Sequence, residues 1–205
     1  MTSPDTLDRL ADVRPAGAID ELRRRRPVTR DQLQASYDAL FAPVDDSEFP
    51  VAERTLVAAF ATRVTADDAT AAYYAGLARE ADAARAETVL AEASAAATAG
   101  PFGTYVEAGL QDENSDGRRY EPPTAVRETL GERLAAAIAH AHLLTARPRE
   151  AGSAALDRLL EAGWSVDGIV TLSQLISFLA FQQRVAAGLR VLAQAAPAPT
   201  EEVPA

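Results

Sequence analysis

The side chains able to move a proton or grip an anion are few. His140 and His142 are the only imidazoles in the chain. Lying two residues apart, they sit about 200° apart around a helix and cannot close on one metal ion. His142 falls at the edge of the apolar face, one turn after Ile138, and His140 points away from that face. His142 is therefore the better candidate for proton transfer. No carboxylate stands at a spacing that would orient it, so a hydrogen-bonded structural histidine is the plainer alternative. Glu53 is an acid/base candidate, or else a favourable charge beside a helix N-terminus. On the last apolar segment Ser173, Ser177 and Arg184 share a narrow sector, a polar groove in which Arg184 is suited to hold a carboxylate. The structural alternative is an arginine paired with an acid of another helix, or the polar seam of an oligomer. Tyr73 joins Ala69, Ala72, Gly76 and Leu77 in a core stripe, while Tyr74 stands among Ala71, Ala75 and Ala78, whose small size leaves space beside it.

Composition removes whole classes of chemistry. The chain has no cysteine, which excludes thiol nucleophiles, redox dithiols, disulfides and thiolate metal sites. All 20 basic residues are arginine, so Schiff-base and phosphate-loop lysines are excluded too. No metal or other cofactor is expected. A net charge of −10 argues against nucleic-acid binding. The contrary run, Arg23 to Arg26, reads as a solvated last helical turn before Pro27. "MTSPDTLDRLADV" lacks the basic start and apolar run of a secretory signal, so a cytoplasmic protein is expected. The all-Arg, Ala-rich usage suits a GC-rich bacterial genome.

The elements that must position these groups are helices. Hydrophobic residues make up 48% of the chain, alanine is abundant, and strand-like runs are few, which predicts an all-α protein. Residues 1–28 hold two short amphipathic pieces, Asp5 to Val13 and Ala18 to Arg26. Thr29 and Gln32 have capping-box spacing for a helix that Pro43 ends. Ser47 or a neighbouring Asp caps the next, with Pro50 in its first turn. Thr65 and Asp68 signal another helix, running past Leu77, and Ala83 to Thr98 is a further helical stretch. "GPFGTYVEAGLQDENSDGRRYEPPT", residues 100–124, is a long irregular loop, of the kind that usually has a function. It joins the halves 29–99 and 125–192. The second half contains Leu130 to Thr145, Ser153 to Ala162 and a long helix capped by Ser165. Apolar residues occupy nearly every sector of that last helix, which predicts burial on most sides. Its apolar run is short of the ~20 residues of a membrane span and contains Gln174, Gln182, Gln183 and Arg184. A core helix that also meets a second copy of the chain is expected. Residues 193–205 read as a Pro-rich, acidic, disordered tail.

The block "LGERLAAAIAHAHLL…LDRLLEAGWSVDGIVTLSQLISFLAFQQRVAAGL" resembles the second half of alkylhydroperoxidase D-like, or carboxymuconolactone decarboxylase-like (CMD), proteins, and is closest in size to their peroxidase-related subgroup. The front half, "YDALFAPVDDSEFPVAERTLVAAFATRVTADDATAAYYAGL", is similar to the same family. The resemblance covers roughly residues 30–192 and suggests a cysteine-free branch. It implies an alkylhydroperoxidase D-like helical bundle and a homo-oligomer: a trimer, a hexamer or a dimer. It also implies that the family's Cys-x-x-Cys pair would fall at about Asp68 and Ala71, and its histidine near Tyr74 or Ala75. The thiol chemistry cannot be transferred to those residues. The family's decarboxylase side works without cysteine, and its acid/base groups would have to come from His142, His140, Glu53 and Asp68. The expectation is a protein that binds a small organic molecule at Tyr74, Arg184, Ser177 and Ser173, with little or no thiol peroxidase activity. The alternatives are a cysteine-independent decarboxylase or lactone-processing enzyme, and a structural scaffold.

Overall fold

Helix α4, Val51–Thr65, is the centre of the molecule, and from Arg54 through Thr62 every residue is buried. The computed structural model describes residues 5–195, and no β-strand occurs among them. Around α4 pack α5 (Ala69–Ala81), α6 (Ala83–Ala96), α8 (Glu132–Ala146) and α10 (Val166–Ala195). The protein is all-α. Alanines Ala58, Ala59, Ala71, Ala78, Ala86, Ala93 and Ala137 lie at the contacts and let these helices approach closely. The larger side chains Phe49, Leu56, Phe60, Leu134, Ile138, Leu172, Leu175 and Leu179 fill the remaining core.

Two capping expectations differ in detail. Helix α3 (Pro27–Phe41) starts at Pro27, in the first-turn position that proline favours, so Thr29 lies inside the helix and no capping box forms. Asp68 alone caps α5, accepting from the Ala71 N–H at 2.9 Å. At the start of α4, Asp46 accepts from the Val51 N–H at 3.0 Å. Buried Arg54 then ties α4 to the end of α3, donating to the carbonyls of Phe49 (2.7 Å) and Leu40 (2.8 Å). The expected helix from Leu130 is broken at Gly131, whose φ of +80° a residue with a side chain would resist. Residues Thr124–Leu130 form α7, and α8 starts after the break.

Helices α1 (Thr6–Ala11) and α2 (Ala18–Arg24) form a layer over α3 and α10. Leu7, Leu10 and Ala11 pack with Leu33 and Ala186 in a second apolar cluster. The arginine run is not simply a solvated turn. Arg23 is buried and pairs with Asp5 and Asp8, Arg24 pairs with Asp20, and Arg30 reaches Asp5 (3.1 Å) and Asp8 (2.8 Å). Arg25 and Arg26 are exposed.

Helix α10 is long and apolar enough to cross a membrane by length and composition, and 44% of its most apolar stretch is buried in the bundle. It is covered along one side, while Val170, Phe181, Val191 and Leu192 stand outside. The helix buried on most sides is α4, because α4 runs between layers and α10 runs along an edge. Of the expected tail, 193–195 continue α10 and 196–205 lie outside the described residues.

Candidate functional site

A cleft of about 450 Å³ lies between α8, α9 (Ser153–Glu161) and the returning end of the 100–124 loop. The loop is held by its far anchor. Arg147, at the end of α8, donates to Glu150 at 2.8 and 2.6 Å and to the Gly117 carbonyl at 2.8 Å. Arg119 donates to the same Glu150. The hydrogen bond from Arg147 is the main reason that the Glu150 carboxyl is held down to about 2. Gly103 and Ser115 exchange both backbone hydrogen bonds, closing the loop on itself. From there the chain lays Tyr120 across the core.

Tyr120 fixes the inner wall. Its ring lies 5.3 Å from Phe60 and 5.4 Å from His142, and its hydroxyl donates to Glu92 at 2.9 Å. The apolar part of the cleft is made by Ala135, Ala136, Ala139 and Leu143 of α8 and Leu159 of α9. The outer part carries Arg127, Arg158, Glu121, Glu132 and Glu161.

Both histidines line this cleft. His140 is only 5% exposed, and neither ring nitrogen has a hydrogen-bond partner. Burial, then the charge of Arg158, pushes its pKa from 6.5 down to about 4, so the ring is neutral at pH 7. A neutral imidazole has one donor and one acceptor, and leaving each unmet in a buried place costs about 1–3 kcal/mol. Natural interiors rarely leave such groups unpaired. His142 is 1% exposed and its ring is hydrogen-bonded to the Ala96 carbonyl, while Nε2 has no partner. Burial lowers its pKa, the Ala96 carbonyl opposes this, and Arg118 and Arg147 add to the lowering.

His140 lies away from the apolar stripe in the helical period, yet it is buried. Helix α8 is covered on both sides, by the core and by α7, α9 and the loop, so neither face is free. The two tyrosines also exchange roles. Tyr74 is wholly buried and donates to Gln182 Oε1 at 2.6 Å, whereas Tyr73 is half-buried and shares a 2.6 Å hydrogen bond with Tyr37. Ala71, Ala75 and Ala78 are buried because α5 approaches α4 closely along them; their smallness makes a tight contact and no space.

The remaining sequence candidates are not brought together with the cleft. Glu53 forms an ion pair with Arg133. The Arg133 guanidinium stacks 4.0 Å over Trp164, whose indole N–H donates to the Arg133 carbonyl at 2.8 Å. Glu53 thus belongs to the corner that holds α4, α8 and α10. Asp68 is occupied as the α5 cap. Ser173 donates to the Ile169 carbonyl of its own helix, Arg184 donates to Ala180, and Ser177 is exposed, so that groove faces outward. Sequence reasoning missed Tyr120, Arg127 and Arg158 as lining residues; only the expectation that loop 100–124 has a function pointed to that wall. Among the described residues no group of three or more potential ligands is placed to hold a metal ion. Compared with protein-family models, with curated proteins and with solved structures, the chain gives no match.

Proposed function

We propose that this chain is a cysteine-free CMD-like protein that binds a small organic molecule in the α8–α9 cleft, with no thiol peroxidase turnover. The observation that carries the binding reading is His140: a buried, neutral imidazole with two unmet hydrogen-bonding atoms on the wall of a small-molecule-sized cleft. The family assignment rests on the residue patterns quoted above and is consistent with an all-α chain. Where the resemblance would set the dithiol and its histidine, Asp68 caps a helix and Tyr74 fills the core. That supports a vacated redox site and moves the binding reading to the cleft. The acid/base enzyme finds less support, because Glu53 and Asp68 do not line the cleft that holds the histidines.

The test has two arms. With peroxide and an external thiol reductant, turnover should not exceed the protein-free rate. A thermal-shift screen of small organic compounds should find some that raise the wild-type midpoint but not that of His140→Phe. At 100 times Kd the stabilisation is about 2.7 kcal/mol, or about 5–10 °C for a chain of this size. If no compound shifts the wild type, or both proteins shift alike, the cleft is not the binding site. The scaffold reading then takes its place, favoured by the exposed Val170, Phe181 and Val191 of α10, which would cover each other in a homo-oligomer.

A further inference from the structure

Four arginines border the cleft, and two of them are committed. Arg147 and Arg119 both hold Glu150. The other two are only loosely engaged. Arg158 reaches Glu121 at 3.6 Å, and Arg127 reaches Glu121 at 3.9 Å and Glu132 at 3.7 Å, all beyond hydrogen-bond distance. The Arg127 Nε donates to the Pro122 carbonyl at 3.1 Å, which steadies the stem and leaves its terminal nitrogens without a close partner. Both arginine side chains are well exposed, at 42% and 63%, so their long ion pairs are readily exchanged.

The sign of the inner field agrees. After burial, Arg158 lowers the His140 pKa further, and Arg118 and Arg147 act likewise on His142, while Glu121, Glu132 and Glu161 stand in the outer part of the cleft. At the inner wall a ligand meets a neutral imidazole with Arg158 as its charged neighbour. A bare inorganic anion would gain nothing from the apolar strip of Ala135, Ala139 and Leu159. A planar carboxylate matches the guanidinium fork in a way that a point charge does not.

We infer that the cleft takes a small organic carboxylate: Arg158 and Arg127 exchange Glu121 for the ligand's carboxylate, its skeleton lies on the alanine–leucine strip, and a hydroxyl group meets His140. The inference rests on the small-molecule reading above and narrows it to a ligand class. Glu121 then acts as an internal competitor, occupying the two arginines until the ligand replaces it.

Calorimetric titration of the full chain tests this with 4-hydroxybenzoate, salicylate and 3-hydroxybutyrate, each beside its primary amide, and with inorganic phosphate. At least one acid should bind, its amide at least tenfold more weakly, and phosphate no better than the amide. Arg127→Met/Arg158→Met should weaken the acid at least tenfold. Glu121→Gln, at an exposed side chain that the fold does not need, should tighten it severalfold. If an amide binds as well as its acid, the carboxylate inference fails while small-molecule binding stands. Phosphate binding as tightly as the acids also overturns it, since the site would then be for inorganic anions. Failure of Glu121→Gln to tighten binding overturns the exchange. If neither acids nor amides bind, both this inference and the reading beneath it fall.

Discussion

Replacing Tyr74 with alanine is expected to lower the unfolding free energy by about 3–5 kcal/mol, the range for deleting a wholly buried aromatic ring. The thermal midpoint should fall by about 6–20 °C for a chain of this size. The ring is fully enclosed, 5.4 Å from Phe41 and 5.1 Å from Tyr73, with α4 and α10 closing the remaining sides. Alanine leaves a cavity that the backbones cannot close, because Ala71, Ala75 and Ala78 already hold α5 against α4. Tyr74→Phe separates the hydroxyl from the ring. It keeps the volume and removes the 2.6 Å bond to Gln182, whose amide nitrogen already lacks a partner. A loss of about 1–3 kcal/mol is expected there. Denaturant unfolding with unchanged slope checks both. A Tyr74→Ala loss below about 1 kcal/mol would mean that open space surrounds the ring, and the vacated family site would again be a pocket.

Acid should weaken the fold well above the range in which ordinary carboxylates titrate. His140 has a folded pKa of about 4 against 6.5 for a free imidazole, and His142 is shifted in the same direction. Between those values the unfolded chain binds more protons than the folded one, so stability rises with pH. Stability is therefore complete above about pH 6.5 and is lost as the pH falls toward 4. For His140 the full loss is about 3 kcal/mol. Glu150 and Asp5 are shifted down and add losses only at lower pH. Asp8 is raised by burial and works in the opposite direction, near the bottom of the window. Unfolding measured at pH 7, 6 and 5 should show a steady decline that His140→Phe reduces. Equal stability at pH 7 and pH 5 would place both imidazoles in contact with water.

What the sequence made legible follows from which forces are local. Helix positions are readable because caps act within a few residues, as with Asp68 before α5 and Ser165 before α10, whereas the break that Asp82 makes between α5 and α6 carries no proline or glycine to announce it. Which face of a helix is buried is a tertiary matter, and an alanine-rich face carries no size signal. The small neighbours of Tyr74 suggest free space along the sequence, whereas in the fold they mark the close approach of α5 to α4. His140 was misplaced because a cover from α7, α9 and the loop has no trace in the period of α8. The cleft draws Tyr120, Arg127, His140 and Arg158 from a loop and three helices, and no spacing along the chain links them. Arg184 looked like an anion site because an arginine in an apolar run is conspicuous, yet α10 lies at an edge and that arginine faces outward.

The central claim is that His140 lines an occupied-on-demand binding cleft. Because the chain has two histidines, a histidine-selective NMR spectrum contains two sets of ring signals, assigned by His140→Phe. Titration with a compound that raises the thermal midpoint should move the His140 ring nitrogens strongly, as an unpaired imidazole gains hydrogen bonds, and the ring should remain neutral at pH 7. Saturating binding that leaves the His140 signals unmoved would contradict the account.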